Sequence, residues 1–281
     1  MRTLAALTAL AIAPLAAATA ADDEQAVRAT ITDYVMGFYE ADPDRVQGSV
    51  HPDLAKRWVC DNFWGQPHEW LEPITYEEMR PLAIYFNSGG GFDPDTARKD
   101  IEIYEVSDTV ASAKLTGQIW FDYFHLVKID GEWDVINVLW GQVDPDTGNA
   151  PAGSDEDEAA IRAVGRRFVD GFYRADPELV RSTLHPTLSK HSVRTGRHGI
   201  TQLQPITYEQ LINNATDWNA HYKVDPDTAR FEFEIYDRTH NSASVKLIGH
   251  AWFDYLHLAK LDGEWVIANC VWDGLEGMAG A

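Results

Sequence analysis

Two aspartates, Asp122 and Asp254, occupy matching settings in this chain. Each follows a tryptophan by two residues, Trp120 or Trp252, within a run Trp-Phe-Asp-Tyr-x-His-Leu-x-Lys-x-Asp-Gly-Glu-Trp. A carboxylate held among apolar and aromatic side chains has a raised pKa and serves as a general acid or base, so these two positions are candidates for proton-transfer chemistry. The alternative is a carboxylate satisfied by backbone donors or by Lys128. A second shared element, His-Pro-x-Leu-x-Lys, places His51 before Lys56 and His185 before Lys190. It reads either as the end of a helix closing a cavity base, or as a ligand-facing imidazole with a cationic partner for an anionic substrate. His125 and His257 alternate with the aspartates and fall on the opposite sheet face, as sheet or interface residues rather than bases.

The elements that must position these side chains are repeated too. Eleven of the fourteen positions in the two Trp-to-Trp runs are identical, polar and turn residues included, which marks a duplicated domain. Pro73-Ile-Thr-Tyr-Glu77 recurs as Pro205–Glu209, Asp93–Arg98 as Asp225–Arg230, and Gly37-Phe-Tyr39 as Gly171–Tyr173. The turn-rich stretch Asp144–Ser154 reads as a linker, leaving domains at 22–143 and 155–275. Within a copy, Val27, Ile31, Tyr34, Val35 and Phe38 form one helical stripe, a short helix starts at Pro43 or Pro177, and a third helix runs on from Thr75 or Thr207. Strands follow at 100–106, 109–115, 118–129 and 132–141, with Asp130-Gly131 and Asp262-Gly263 as two-residue hairpin turns. Helices segregated from an antiparallel sheet give an α+β domain.

A regular hairpin about Asp130-Gly131 sets Phe124 opposite Asn137 and Asp122 opposite Leu139, so that Trp120, Asp122 and Asn137 share a face. A tight turn at Thr116-Gly117 adds Ala111, Ala113 and Leu115 to that face and makes it concave; a straight run through Gly117 would turn Phe121, Tyr123, His125 and Trp140 inward instead. The turn is preferred, because a strand of about twenty residues exceeds the usual 3–10. Cavity one then holds Asp122 with Trp120 and Asn137, and Tyr34 of the helical stripe joins the candidate ligand contacts. Cavity two holds Asp254 with Trp252 and Asn269, and gains His250 where copy one has Gln118.

The N-terminus carries Arg2, an Ala/Leu run and Ala18-Thr-Ala20, the pattern of a secretory signal peptide over residues 1–20 and hence of a secreted, periplasmic protein. A net charge of −21 opposes nucleic acid and, once the leader is cleaved, anionic membrane surfaces. The two cysteines, Cys60 and Cys270, fall at unmatched positions of the repeat, which argues against a disulfide framework while leaving one inter-domain bridge open.

The sequence of motifs, Gly-Phe-Tyr-x-Ala-Asp-Pro, then His-Pro-x-Leu-x-Lys, then the terminal hairpin with its following Asn, resembles the putative lumazine-binding family of the nuclear transport factor 2-like superfamily, relatives of SnoaL-like polyketide cyclases and ketosteroid isomerases. The resemblance covers nearly the whole mature chain, twice. It implies two tandem cystatin-like cones, each with three helices packed in a curved antiparallel sheet around an apolar cavity, paired within one chain through the outer sheet faces. It carries over no lumazine-specific motif and no cofactor.

The copies diverge at the rims. Copy one has Trp58, Phe63, Trp64 and Trp70; copy two has Lys190, Arg194, Arg197 and His198. Different rims over similar cones would suit a flat aromatic ligand in the first and a more polar or anionic one in the second. No metal-ligand spacing, phosphate loop or nucleophile elbow is present. The expectation is a binder of a small, largely apolar or aromatic molecule, with a cofactor-free isomerase, dehydratase or cyclase and a purely structural module as rivals.

Overall fold

The computed structural model describes residues 19–60, 68–196 and 199–275. The leader, apart from Thr19 and Ala20, and the rim residues Phe63, Trp64, Arg197 and His198 lie outside these. Each copy is built in the same order. The first has helices α1 (Ala20–Tyr39) and α2 (Pro43–Gln47), strands β1 (Val50–Cys60) and β2 (Trp70–Ile74), helix α3 (Tyr76–Phe86), and strands β3 (Lys99–Val106), β4 (Val110–Gly117), β5 (Trp120–Ile129) and β6 (Glu132–Gln142). The second has α4 (Asp155–Tyr173), α5 (Pro177–Arg181), β7 (Leu184–Thr195), β8 (Thr201–Ile206), α6 (Tyr208–Tyr222), β9 (Glu232–Arg238), β10 (Ser242–Ile248), β11 (Trp252–Leu261) and β12 (Glu264–Gly274).

Local chemistry accounts for the boundaries. Asp42 and Asp176 cap the short helices, with proline in the first turn, while Thr75 with Glu78 and Thr207 with Gln210 form reciprocal capping boxes on α3 and α6. Asp130 and Gly131 both take positive φ, as a tight hairpin turn requires.

Each sheet has six strands in the order β2-β1-β6-β5-β4-β3 or β8-β7-β12-β11-β10-β9. Two features depart from the sequence reading. The His51-Pro and His185-Pro elements do not end helices; they begin β1 and β7, which run parallel to β6 and β12 and make the sheets mixed rather than wholly antiparallel. Their Pro and charged residues hide a strand that carries no clean alternation.

The hairpin register also differs. β5 and β6 pair regularly from the turn to Leu126–Val135, but the next pair is His125–Asn137, so Ile136 is an extra residue; Ala268 plays the same part in copy two. A one-residue slip sends every later side chain of the bulged strand to the other face. Asn137 and Asn269 therefore leave the cavity, and Trp140 and Trp272 enter it.

The concave face carries one buried core per copy, with Ala111, Ala113, Leu115 and Phe124 of the first sheet against Ile31, Tyr34, Val35 and Phe38 of α1. The chain does turn after β4, but at Gln118-Ile119, two residues beyond the expected Thr116-Gly117, which stay in the strand; an even shift leaves Ala111, Ala113 and Leu115 on the concave face. Both copies keep glycine before the turn because a Cβ on Gly117 or Gly249 would sit 2.8 Å from the Trp120 or Trp252 ring.

The convex faces of the two sheets meet each other. Val110, Val127 and Ile136 cluster with Val193, Tyr255 and Val271, and the His125 and His257 rings stack with centroids 3.6 Å apart. Around them Ser189 donates to Asn137 Oδ1 at 2.7 Å, Tyr123 donates to Asp237 at 3.0 Å, and Tyr236 donates to Glu105 at 2.8 Å. Arg57, pushed down to about 10 by burial, donates to the carbonyls of Ala268 and Thr187 across the boundary. No disulfide joins Cys60 to Cys270.

Candidate functional site

The centre of the first cone is a buried ion pair. Lys56 of β1 donates to Asp122 Oδ1 of β5 at 2.6 Å and to the Tyr34 hydroxyl of α1 at 2.9 Å, while Trp120 Nε1 donates to Asp122 Oδ2 at 2.6 Å. Asp122 is fully buried and Lys56 nearly so. Burial pushes the Lys56 ammonium down and Asp122 opposes that shift. Burial, reinforced by the Asp122 charge, holds the Tyr34 phenol well above its usual range. The carboxylate is thus satisfied, as the alternative reading allowed, but by Lys56. Lys128 instead pairs with Asp23 near the start of α1, where Trp133 also donates.

Copy two repeats the floor with one exchange. Lys190 donates to Asp254, and Trp252 Nε1 donates to the other Asp254 oxygen at 2.6 Å. Phe168 stands where copy one has Tyr34 and offers no hydroxyl; the third partner is Cys270, at the position of Val138, whose Sγ lies 2.9 Å from Lys190 Nζ and 3.1 Å from Asp254 Oδ1. Burial raises the Cys270 thiol well above its usual range, and Lys190, pushed down by burial, is carried upward on balance by Asp254 and Cys270.

Above each floor is an apolar cavity. The first, of about 200 Å³, is lined by Tyr34, Phe38, Lys56, Phe86, Trp120 and Trp140, with half-exposed Ile119 and Gln142 among the remaining lining residues. The second, of about 100 Å³, has Phe168, Phe172, Lys190, Trp218, Trp252 and Trp272. Trp218 replaces Phe86 and fills the difference, stacking on Tyr222 at 4.4 Å and meeting Trp252 edge-on at 5.1 Å.

Of the residues singled out from sequence, Tyr34, Lys56, Trp120 and Asp122 come together in cone one, and Lys190, Trp252 and Asp254 in cone two. The others do not join them. Asn137 and Asn269 sit on the convex face beside His125 and His257 because of the bulges. His51 Nδ1 accepts from the Asp53 N–H at 3.0 Å and His185 Nδ1 from the Thr187 N–H at 3.2 Å, turn contacts at the starts of β1 and β7 that hold both rings away from the cavities. His250 lies in the turn between β10 and β11, its backbone N–H donating to the Tyr173 hydroxyl, and its ring does not line cavity two. Lys190 is no loose rim cation, since it is buried against Asp254. Trp140, inward only on the disfavoured straight-run reading, and Trp272, which sequence reasoning missed, both enter the cavities through a bulge that has no Gly or Pro to announce it.

Comparison with known proteins agrees with the duplicated architecture. The chain matches the putative lumazine-binding family twice, over residues 22–141 and 156–273. No curated protein matches it. Among solved structures, similarity is found to an NTF2-like protein of unknown function from Shewanella baltica OS155 (18% identity, 45% of this chain and 98% of that one, TM-score 0.38). A ketosteroid isomerase-like protein from Erwinia carotovora atroseptica SCRI1043 is also similar (17% identity, 43% and 96%, TM-score 0.31). So is a protein described as a putative scytalone dehydratase from Novosphingobium aromaticivorans DSM 12444 (12% identity, 43% and 83%, TM-score 0.32). With both halves matched over nearly their full length, this chain is a tandem member of the putative lumazine-binding family.

Proposed function

We propose that this protein binds one small, flat, largely apolar molecule, in the first cone, and that the second cone is a structural partner whose cavity is too small for the same ligand. The observation that carries this reading is the difference in volume over a shared floor, about 200 Å³ against about 100 Å³. A dry protein cavity of ~150 Å³ takes up benzene, so one falls above and one below the size of a single ring. Four aromatic side chains lining the first cavity besides Tyr34 provide the stacking surface. The reading of residues 1–20 as a cleaved signal supports a site of action outside the cytoplasm; N-terminal sequencing of the protein from its host tests that part.

The buried pair weighs against a cavity aspartate as a general base. Both Asp122 oxygens accept from strong donors, and its side chain has no exposed surface from which to reach a substrate proton. Binding is tested by titrating the intact chain with naphthalene and indole while following tryptophan fluorescence. The expected result is saturable 1:1 quenching that Phe86→Trp, which gives copy one the residue of copy two, weakens by at least about tenfold. Unchanged binding in Phe86→Trp would remove the first cavity as the site.

A further inference from the structure

A lysine ammonium has three N–H donors. In the first cone Asp122 and Tyr34 take two of them, at 2.6 and 2.9 Å, and among the described residues no acceptor takes the third. That nitrogen lines the cavity, 5.2 Å from the centroid of the Trp140 ring, which itself stacks on Trp58 at 5.1 Å. Phe38, Phe86 and Trp120 form a second, contiguous edge-to-face cluster in the same lining. The cavity therefore pairs aromatic walls with one unspent, charged hydrogen-bond donor on its floor.

Resting on the reading of this cavity as the ligand site, we propose that its ligand is a neutral aromatic carbonyl compound whose oxygen accepts the remaining Lys56 proton, and that aromatic carboxylates are rejected. The neutrality follows from the pair itself. Lys56 is already matched by the Asp122 carboxylate, and among the described residues it is the only charged one in the lining. A ligand carboxylate on the third proton would stand within a few ångströms of Asp122 in a poorly solvated site, with no second cation to offset the repulsion. The acidic body, at −21, repels anions at longer range as well. A carbonyl oxygen accepts the same hydrogen bond without adding a charge, and satisfies a buried donor that a hydrocarbon would leave unmet.

The test uses three probes sharing one ring, ethylbenzene, acetophenone and benzoate, titrated by calorimetry into the intact chain. Acetophenone is expected to bind roughly five- to tenfold more tightly than ethylbenzene, and benzoate at least about tenfold more weakly than acetophenone. In Lys56→Met/Asp122→Leu, which removes both charges and so leaves no buried ion unpaired, the acetophenone preference should vanish while ethylbenzene is retained. Ethylbenzene binding as tightly as acetophenone in the native protein would overturn the inference and leave the first cavity standing as an apolar site. Benzoate binding most tightly would overturn it too, and failure of all three to bind would remove both proposals.

Discussion

The two cones solve one problem with different third partners. Each buries a lysine–aspartate pair under a tryptophan N–H, but copy one completes the cluster from the helix side, with Tyr34, and copy two from the sheet side, with Cys270. The matched positions hold Phe168 and Val138, so neither copy has both groups and neither lacks both. What stays fixed through divergence is the satisfaction of the buried charges; what varies is the space above them, where Trp218 replaces Phe86 and Asn214 replaces Leu82. The shared residues hold the floor, and the differences choose its third partner and set the space above it.

The hardest way to break the comparison is to unpair the floors. Lys56→Met and Lys190→Met should each destabilise their domain by about 3–5 kcal/mol in urea unfolding, because an aspartate is left buried without its counter-ion. Replacing both members by apolar residues, as in Lys56→Met/Asp122→Leu, should cost much less. Equal losses for the single and double changes would mean that packing, not charge pairing, holds the floor.

Acid acts on the symmetric boundary rather than the asymmetric cavities. Burial, with the neighbouring His257 and Lys190 charges, holds the His125 imidazole well below its ordinary value of 6.5; burial alone lowers His257 to about 3, and burial first lowers His191 to about 4. The folded state keeps these rings neutral while the unfolded chain protonates them near pH 6.5. Stability is therefore full above that pH and falls progressively as pH drops from about 6.5 toward 3–4, at up to about 1.4 kcal/mol per pH unit for each ring. His125→Leu/His257→Leu should flatten that slope when unfolding is followed from pH 7 to 4.5; an unchanged slope would assign the acid sensitivity elsewhere.

Exchanging the third partners sharpens the comparison. Tyr34→Phe should cost about 1–2 kcal/mol, the scale of one hydrogen bond to a buried charge, and Cys270→Val somewhat less. Phe168→Tyr should recover part of the Cys270→Val loss, since it gives copy two the hydroxyl of copy one. A double-mutant cycle showing no coupling between 168 and 270 would contradict the exchange.

Much of the fold was legible because it was written twice. The capping residues, the Asp-Gly turns and the apolar stripe of α1 each carry a local physical rule, and the repeat confirmed them against chance. The site was legible in part. Alternation placed Trp120 and Asp122 together, and the spacing of His-Pro-x-Leu-x-Lys kept Lys56 in view, though its partner in the cavity is set by a parallel β1–β6 pairing that no local signal specifies. Asn137 and Trp140 were exchanged between faces by a bulge at Ile136, an apolar residue indistinguishable by type from its neighbours Val135 and Val138. The histidines were prominent by chemistry alone; turn contacts keep His51 and His185 out of the cavities.

The central claim, one cavity large enough for a single aromatic ring and one too small for it, is met most directly by crystals soaked in bromobenzene, with the bromine located by its anomalous signal. A single peak between Phe86, Trp120 and Trp140, and none beside Trp218, is the expected result. Equal peaks in both cones, or a peak only in the second, would contradict it.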